Sequence, residues 1–214
     1  MQIDKKLVIV GDGFCGKTCL LTTFVDGKFP TVYIPTVFEE SSKLITVAQG
    51  DRTYDINLSL WDTAGQEDFD RLRPLAYPDS DIILLCFSID SDDTLKNASD
   101  RWFMEIRQHV SQVPIILVGC KKDMRNQDGP TSNFVSPQQG ADVARKLGAI
   151  AYLECSALTN EGVQQVFETA AAATLGSFAQ QPQKKPIADR PAPSNTHAAP
   201  EQKDGGCCSS CTIV

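Results

Sequence analysis

Eight consecutive residues, Gly11-Asp12-Gly13-Phe14-Cys15-Gly16-Lys17-Thr18, carry two glycines, a lysine and a hydroxyl in the spacing G-x-x-x-x-G-K-[ST]. Glycines in this pattern let backbone N–H groups wrap an anion without Cβ clashes. Lys17 places a positive charge on the outer phosphates of a nucleotide, and Thr18 offers a hard oxygen to Mg²⁺. A helix starting here turns its positive end toward the same anion. An isolated match can be a chance glycine turn. Here Leu7–Val10 reads as a strand and Cys19–Val25 as a helix, so the whole stretch from Gly11 to Cys19 is expected around a phosphate chain.

Three more loops add chemistry. Cys120-Lys121-Lys122-Asp123 follows the apolar run Ile115–Val118 and Gly119. A carboxylate at Asp123 can accept from both N1–H and the 2-amino group of guanine. Adenine lacks that donor pair and would leave the carboxylate unpaired. Lys121 can lay its methylene stem along the base. Cys155-Ser156-Ala157-Leu158 follows the last apolar run and can present the Ala157 N–H to guanine O6. In Trp61-Asp62-Thr63-Ala64-Gly65-Gln66-Glu67, Asp62 can hold a Mg²⁺-bound water, Gly65 can offer its N–H to a γ-phosphate, and Gln66 can orient an attacking water. Each loop alone is an ordinary polar turn. Their order after successive strands points to a guanine nucleotide.

The elements that must position these loops read as α/β. Leu7–Val10, Ile82–Phe87, Ile115–Val118 and Ile150–Leu153 are short apolar runs suited to strands buried on both faces. Tyr54, Ile56, Leu58 and Leu60 alternate with polar residues, and Lys43–Val47 precedes them across Gln49-Gly50-Asp51, which predicts a hairpin. Leu95, Ala98, Trp102, Ile106 and Val110 repeat at helical spacing, as do Val163, Val166, Phe167, Ala170 and Thr174. Ser136-Pro137 reads as an N-cap and first-turn proline, with Gly148 closing that helix. The pattern gives a mostly parallel sheet covered on both faces, with ligands beyond the carboxyl ends of its strands.

The 214 residues carry a net charge of −7, which argues against non-specific nucleic-acid binding. No apolar run approaches the ~20 residues of a spanning helix, and the first residues do not read as a signal peptide. The chain is therefore expected in the cytosol with reduced cysteines, Cys86 and Cys155 as inert core thiols. Composition changes near Ser177. Residues 177–206 hold five prolines and one large aliphatic, Ile187, and read as a disordered linker. The expected division is a nucleotide-binding domain over 1–176, this linker, and a tail over 207–214.

These motifs resemble the Ras-superfamily small GTPases, and within them the Rho family, over residues 3–176. Tyr33–Glu39 is similar to the Rho switch I, Trp61–Asp81 to its switch II, and the stretches CFSID and ECSALT are also Rho-like. The resemblance implies the P-loop NTPase small-GTPase fold, a six-stranded mostly parallel sheet with helices on both faces, in a monomer that binds GTP or GDP with Mg²⁺. It implies that Thr36 is the second protein ligand of Mg²⁺ and reads the γ-phosphate, that Phe29 packs edge-on against guanine, and that Tyr33 covers the phosphates. Gln66, Lys17 and Thr36 are then the catalytic group. GEF, GAP and GDI proteins and effectors are implied on switch I (residues 31–42) and switch II (residues 62–78). No arginine is placed to act on the phosphates in cis, and Arg71 and Arg73 read as partner contacts.

The chain departs from the family pattern in several places. Phe14 stands where a small residue is usual, Cys120 where asparagine or threonine is commoner, and Ser41 where tyrosine is usual. The segment Asn126–Val135 is shorter than the helical insert of Rho proteins. The tail has no basic cluster: residues 177–214 hold four Lys/Arg and three Asp/Glu, a net +1, which leaves −8 for the rest. Its last four residues, CTIV, fit a prenylation box with Cys211 as acceptor. One lipid binds membranes only marginally, so Cys207 and Cys208 read as palmitoylation sites, and the expected location is the cytoplasmic face of the plasma membrane with a cytosolic pool. A zinc site or disulfide are the blander readings of those cysteines. Cys15 and Cys19 flank Lys17 and read as packing or as redox sensors, and Trp61 and Trp102 as packing residues. Rival readings are a nucleotide-gated module without turnover, another small-GTPase branch, and a small kinase.

Overall fold

Leu7 and Ile9 face one side of the first strand and Val8 and Val10 the other, and all four are fully buried. That alternation, repeated in the neighbouring strands, makes a sheet with a core on each face. The computed structural model describes residues 2–32, 36, 38–66, 69–126 and 134–176. Tyr33, the linker 177–206 and the tail with Cys207, Cys208 and Cys211 lie outside the described residues.

The chain runs β1 (Gln2–Gly11), α1 (Lys17–Asp26), β2 (Phe38–Gln49), β3 (Arg52–Thr63), a 3₁₀ turn (Arg73–Ala76), β4 (Ile82–Ser88) and α2 (Asp92–Asn97). A π-helical stretch (Ala98–Trp102) leads into α3 (Phe103–His109), followed by β5 (Ile115–Cys120), a second 3₁₀ turn (Lys122–Asn126), α4 (Pro137–Leu147), β6 (Ala151–Glu154) and α5 (Val163–Thr174). The six strands lie in the order β2-β3-β1-β4-β5-β6. Only the β2–β3 pair is antiparallel. Leu7, Ile9, Ile82 and Leu84 pack with Leu20 and Phe24 of α1 and Val166 and Phe167 of α5. Val8, Val10, Ile83 and Leu85 pack with Leu95, Trp102 and Ile106 of the helical run 92–109 and with Ala144 of α4. Each such aliphatic contributes roughly 1.5–3 kcal/mol by burial. The expected fold class is the one observed.

Local signals explain the ends of the elements. Ser136 accepts from the Gln139 N–H at 3.2 Å, and the Gln139 side chain accepts from the Ser136 N–H at 2.8 Å, a reciprocal cap with Pro137 in the first turn. Gly148 closes α4 in the left-handed region at φ 67°. Inside α4, a side chain on Gly140 would lie 2.2 Å from the Tyr152 ring, so close helix–strand packing explains a glycine there.

Three elements differ from the sequence reading. The first is β1, expected over Leu7–Val10, which starts at Gln2 and pairs with β3 from Gln2 to Ile9. The hairpin strand expected over Lys43–Val47 runs from Phe38 to Gln49, because an edge strand needs backbone pairing but no apolar side chain at Glu39, Glu40 or Ser41. The extension sets Glu39 opposite Asp62 and so brings the end of the preceding loop to the end of β3. The helix expected over 95–110 is interrupted by its π stretch, which turns Trp102 toward the first loop. Among the described residues no helix is long and apolar enough to cross a membrane.

Candidate functional site

β1 ends at Gly11, whose φ of 150° only glycine tolerates and whose added Cβ would lie 2.2 Å from the Cys86 carbonyl oxygen. The chain must turn sharply there, and Gly16, at φ 108°, starts α1. The first turn of α1 has no acidic residue and no side-chain cap. Its N–H groups and dipole therefore face a cavity of about 660 Å³ with partial positive charge.

Residues from six segments line that cavity. Gly13, Phe14, Gly16, Lys17, Thr18 and Cys19 come from the first loop and α1, and Phe29 and Thr36 from the segment after α1. Gly65 and Gln66 come from the loop after β3, Cys120, Lys121 and Asp123 from the loop after β5, and Ala157 and Leu158 from the loop after β6. The remaining expected residues that are described stand behind the wall. Gly11 shapes the turn, Cys15 packs its thiol toward the Cys86 carbonyl, Asp62 lies under Thr18, and Ser156 braces Asp123. Asp12 points its carboxylate away, accepting from Trp102 Nε1 at 2.7 Å and Asn97 Nδ2 at 2.9 Å.

Lys17 is only 5% exposed. Its ammonium donates to the carbonyls of Gly11 at 2.8 Å and Asp12 at 2.7 Å. An ammonium has three donors, and among the described residues the third has no partner. A buried cation of this kind suits an anion in the cavity.

Thr18 Oγ1 donates to Asp62 Oδ2 at 2.6 Å and lies 2.8 Å from Thr36 Oγ1, which is 3.5 Å from the same carboxylate oxygen. Burial pushes the Asp62 carboxyl above its ordinary range, while the Thr18 hydrogen bond and the Lys17 charge oppose the shift. Its other oxygen, Oδ1, is buried and has no hydrogen-bond partner among the described residues. Two hydroxyls and an under-used carboxylate converging on one point are the hard-oxygen donors that Mg²⁺ takes. Among the described residues no group of three or more His, Cys, Asp or Glu is set to hold a metal.

On the far side, Asp123 Oδ1 accepts from Ser156 Oγ at 2.5 Å, and Ser156 Oγ accepts from the Thr159 N–H at 3.1 Å. Lys121 sits in the left-handed region at φ 59° and reaches Asp90 at 3.4 Å. Thr23 of α1 donates to the Ala157 carbonyl at 3.4 Å. Below this loop Arg125 donates to both oxygens of Glu154, at 2.8 and 2.9 Å, and to the Val135 carbonyl at 2.6 Å, while Tyr152 donates to Glu154 at 2.6 Å.

The thiols beside Lys17 are not activated. Burial pushes Cys15 up to about 12 and Cys19 up from its ordinary value, which favours packing over the redox reading. Cys86 and Cys155 are buried core thiols as expected. Phe14 is 67% exposed and adopts φ 61°, a left-handed conformation that costs a side-chain-bearing residue roughly 1–2 kcal/mol. Arg73 departs from its expected role as a partner contact: it is 2% exposed and turned inward. The sequence reading also missed Ser156 as a brace and Asn97 and Trp102 as the hold on Asp12. A serine just before Ala157 was the available signal for the first. The π stretch concealed the second.

A family model described as the Ras family matches residues 6–175.

Proposed function

The chain belongs to the Ras family of small GTPases, and from that premise we propose that it is a Rho-type, membrane-anchored switch. Ras-family members bind guanine nucleotide, typically with Mg²⁺, hydrolyse GTP and exchange partners between their two nucleotide states. The observation that supports a nucleotide switch with Mg²⁺ is the convergence of Thr18, Thr36 and Asp62 within 3.5 Å at one end of a cavity whose other end holds the braced Asp123. The Rho assignment is carried by the Tyr33–Glu39 and Trp61–Asp81 stretches.

Each residue then has a task. Lys17 and the N–H groups of α1 bind the outer phosphates. Thr18 and Thr36, with Asp62 through water, would hold Mg²⁺, which when bound supplies positive charge against the developing negative charge on the transferring phosphate. Gly65 offers its N–H to the γ-phosphate, and Gln66 holds the attacking water. Asp123 accepts from guanine N1–H and its 2-amino group, Lys121 covers the base, Phe29 borders it, and the Ala157 N–H meets O6. Contacts from Thr36 and Gly65 order residues 31–42 and 62–78 in the GTP state, and loss of the γ-phosphate releases them to a different set of partners. The segment 177–206 tethers this domain to the cytoplasmic face of the plasma membrane, through a prenyl group on Cys211 and palmitoyl groups on Cys207 and Cys208, with a cytosolic pool.

Single-turnover GTP hydrolysis with and without a Rho GAP domain tests the reading. The intrinsic rate should be slow and rise by ~10³–10⁵ when the GAP contributes an arginine. Gln66→Leu should abolish most of that rise with nucleotide affinity retained. Tight GTP binding with no turnover under either condition would favour a nucleotide-gated module, the reading that the strained Phe14 at the cavity wall keeps in play.

A further inference from the structure

Arg73 lies seven residues beyond Gln66, between the exposed residues Leu72 and Leu75, yet its own side chain is buried. Its guanidinium is spent on five acceptor oxygens from four residues. Nε donates to the Ala64 carbonyl at 2.9 Å and Nη2 to the Gln66 carbonyl at 3.1 Å. Nη1 donates to both oxygens of Glu105, at 2.9 and 3.2 Å, and Nη2 also reaches Asp70 Oδ1 at 2.8 Å. The guanidinium carbon stands 4.4 Å from the centre of the Trp102 ring. Glu105 is held in turn by the Tyr77 hydroxyl at 2.6 Å, and Trp102 donates to Asp12 of the first loop at 2.7 Å.

The two carbonyls that Arg73 holds flank Gly65. A trans peptide is planar, with its C=O and N–H pointing in opposite directions. Fixing the Ala64 oxygen therefore fixes the direction of the Gly65 N–H, away from Arg73. Fixing the Gln66 oxygen fixes the backbone from which the Gln66 side chain departs. Gly65 also lies against the first loop, where an added Cβ would sit 2.3 Å from Gly13 N. The segment is thus held from the α3 side by a rigid fork and seated on the phosphate loop.

We propose that Arg73, clamped by Glu105 and stacked on Trp102, is the positioning residue that aims the Gly65 N–H and carries Gln66. The proposal rests on the reading of Gly65 and Gln66 given above. Because Trp102 also holds Asp12, one helical run sets the phosphate loop and the water-orienting segment in the same frame. Arginine suits this task and lysine does not: a guanidinium offers five donors in a fixed plane, and an ammonium offers a compact charge on a flexible stem.

The test uses the full-length chain loaded with GTP and Mg²⁺, as wild type, Arg73→Lys, Arg73→Ala and Glu105→Gln. Three quantities are read: single-turnover hydrolysis, GTP dissociation, and amide hydrogen exchange across Ala64–Ala76. Loss of positioning on the scale of 1 Å costs up to ~10²-fold in rate, so Arg73→Lys should slow hydrolysis by about 10–10²-fold while dissociation stays at the wild-type rate and exchange over the segment accelerates. Arg73→Ala should be at least as slow. Glu105→Gln should be milder, since the amide oxygen still accepts one bond. Wild-type hydrolysis in Arg73→Lys despite faster exchange would overturn the proposal, as would unchanged exchange in every variant or dissociation that rises in step with the loss of hydrolysis. If the wild type itself fails to hydrolyse GTP, the functional reading falls. The clamp is then judged on exchange alone: acceleration in Arg73→Lys supports it, and no change overturns it.

Discussion

Gly65→Ala would place a methyl carbon 2.3 Å from Gly13 N, 2.4 Å from Asp12 C and 2.5 Å from the Gly11 oxygen. All three are backbone atoms of the phosphate loop, so no side-chain rotation makes room. Heavy atoms rest in contact near ~3.5 Å, and the Ala64–Gln66 segment must therefore withdraw by about 1 Å. A misplacement of that size in a positioned group costs ~10²-fold in rate, which corresponds to ~2.7 kcal/mol of barrier. The cost falls on hydrolysis and on the Gly65 N–H contact, since Lys17, Thr18 and Asp123 are untouched. Rapid-quench measurement of GTP cleavage, paired with dissociation of fluorescent GDP, separates the two. Hydrolysis should fall by about two orders of magnitude while GDP is held as in wild type. A Gly65→Ala protein that cleaves GTP at the wild-type rate would show that this close approach is not kept in the reacting state.

Two further outcomes follow from the site, and a third from the proposed lipid anchor. Thr18→Asn removes a hydroxyl 2.6 Å from Asp62 and should weaken GTP·Mg²⁺ by about 1.5–3 kcal/mol and GDP by less; titration of both nucleotides with Mg²⁺ checks this, and equal losses would remove Thr18 from the cation site. Asp123→Asn should shift preference from GTP toward XTP in a competition assay, because the amide donates where the carboxylate accepted; an unchanged preference would remove Asp123 from base recognition. Cys211→Ser should leave the protein wholly cytosolic by imaging, and Cys207→Ser with Cys208→Ser should shift it from the plasma membrane to internal membranes or cytosol, so a double variant retained at the plasma membrane would show that the second signal lies elsewhere.

The strand ends and the loops that follow them were legible in the sequence, because short apolar runs and the G-x-x-x-x-G-K-T and CKKD patterns are local. Two kinds of feature were not. Long-range polar braces leave little trace: Trp102 holds Asp12 across 90 positions and Ser156 holds Asp123 across 33. Composition also misleads where a charged residue is buried. Arg73 sits in a run of polar and apolar residues that reads as surface, and only the carbonyls of Ala64 and Gln66 and the Glu105 carboxylate explain its burial. The β2 extension over Glu39–Ser41 was hidden for the opposite reason, since backbone pairing at a sheet edge asks nothing of its side chains.

Arg125 joins two points ten positions apart, its own position and the Val135 carbonyl, and anchors both to Glu154. The ends of the intervening segment are thus tied independently of what lies between them. A flexible insertion between ends tied in this way would cost loop-closure entropy of about 0.6 kcal/mol for each doubling of length. The segment is therefore a natural insertion point. A relative can lengthen it, or an experimenter can graft a reporter there, while Asp123 keeps its brace from Ser156. The brace on Asp123 and the length of this segment are in this way separately adjustable.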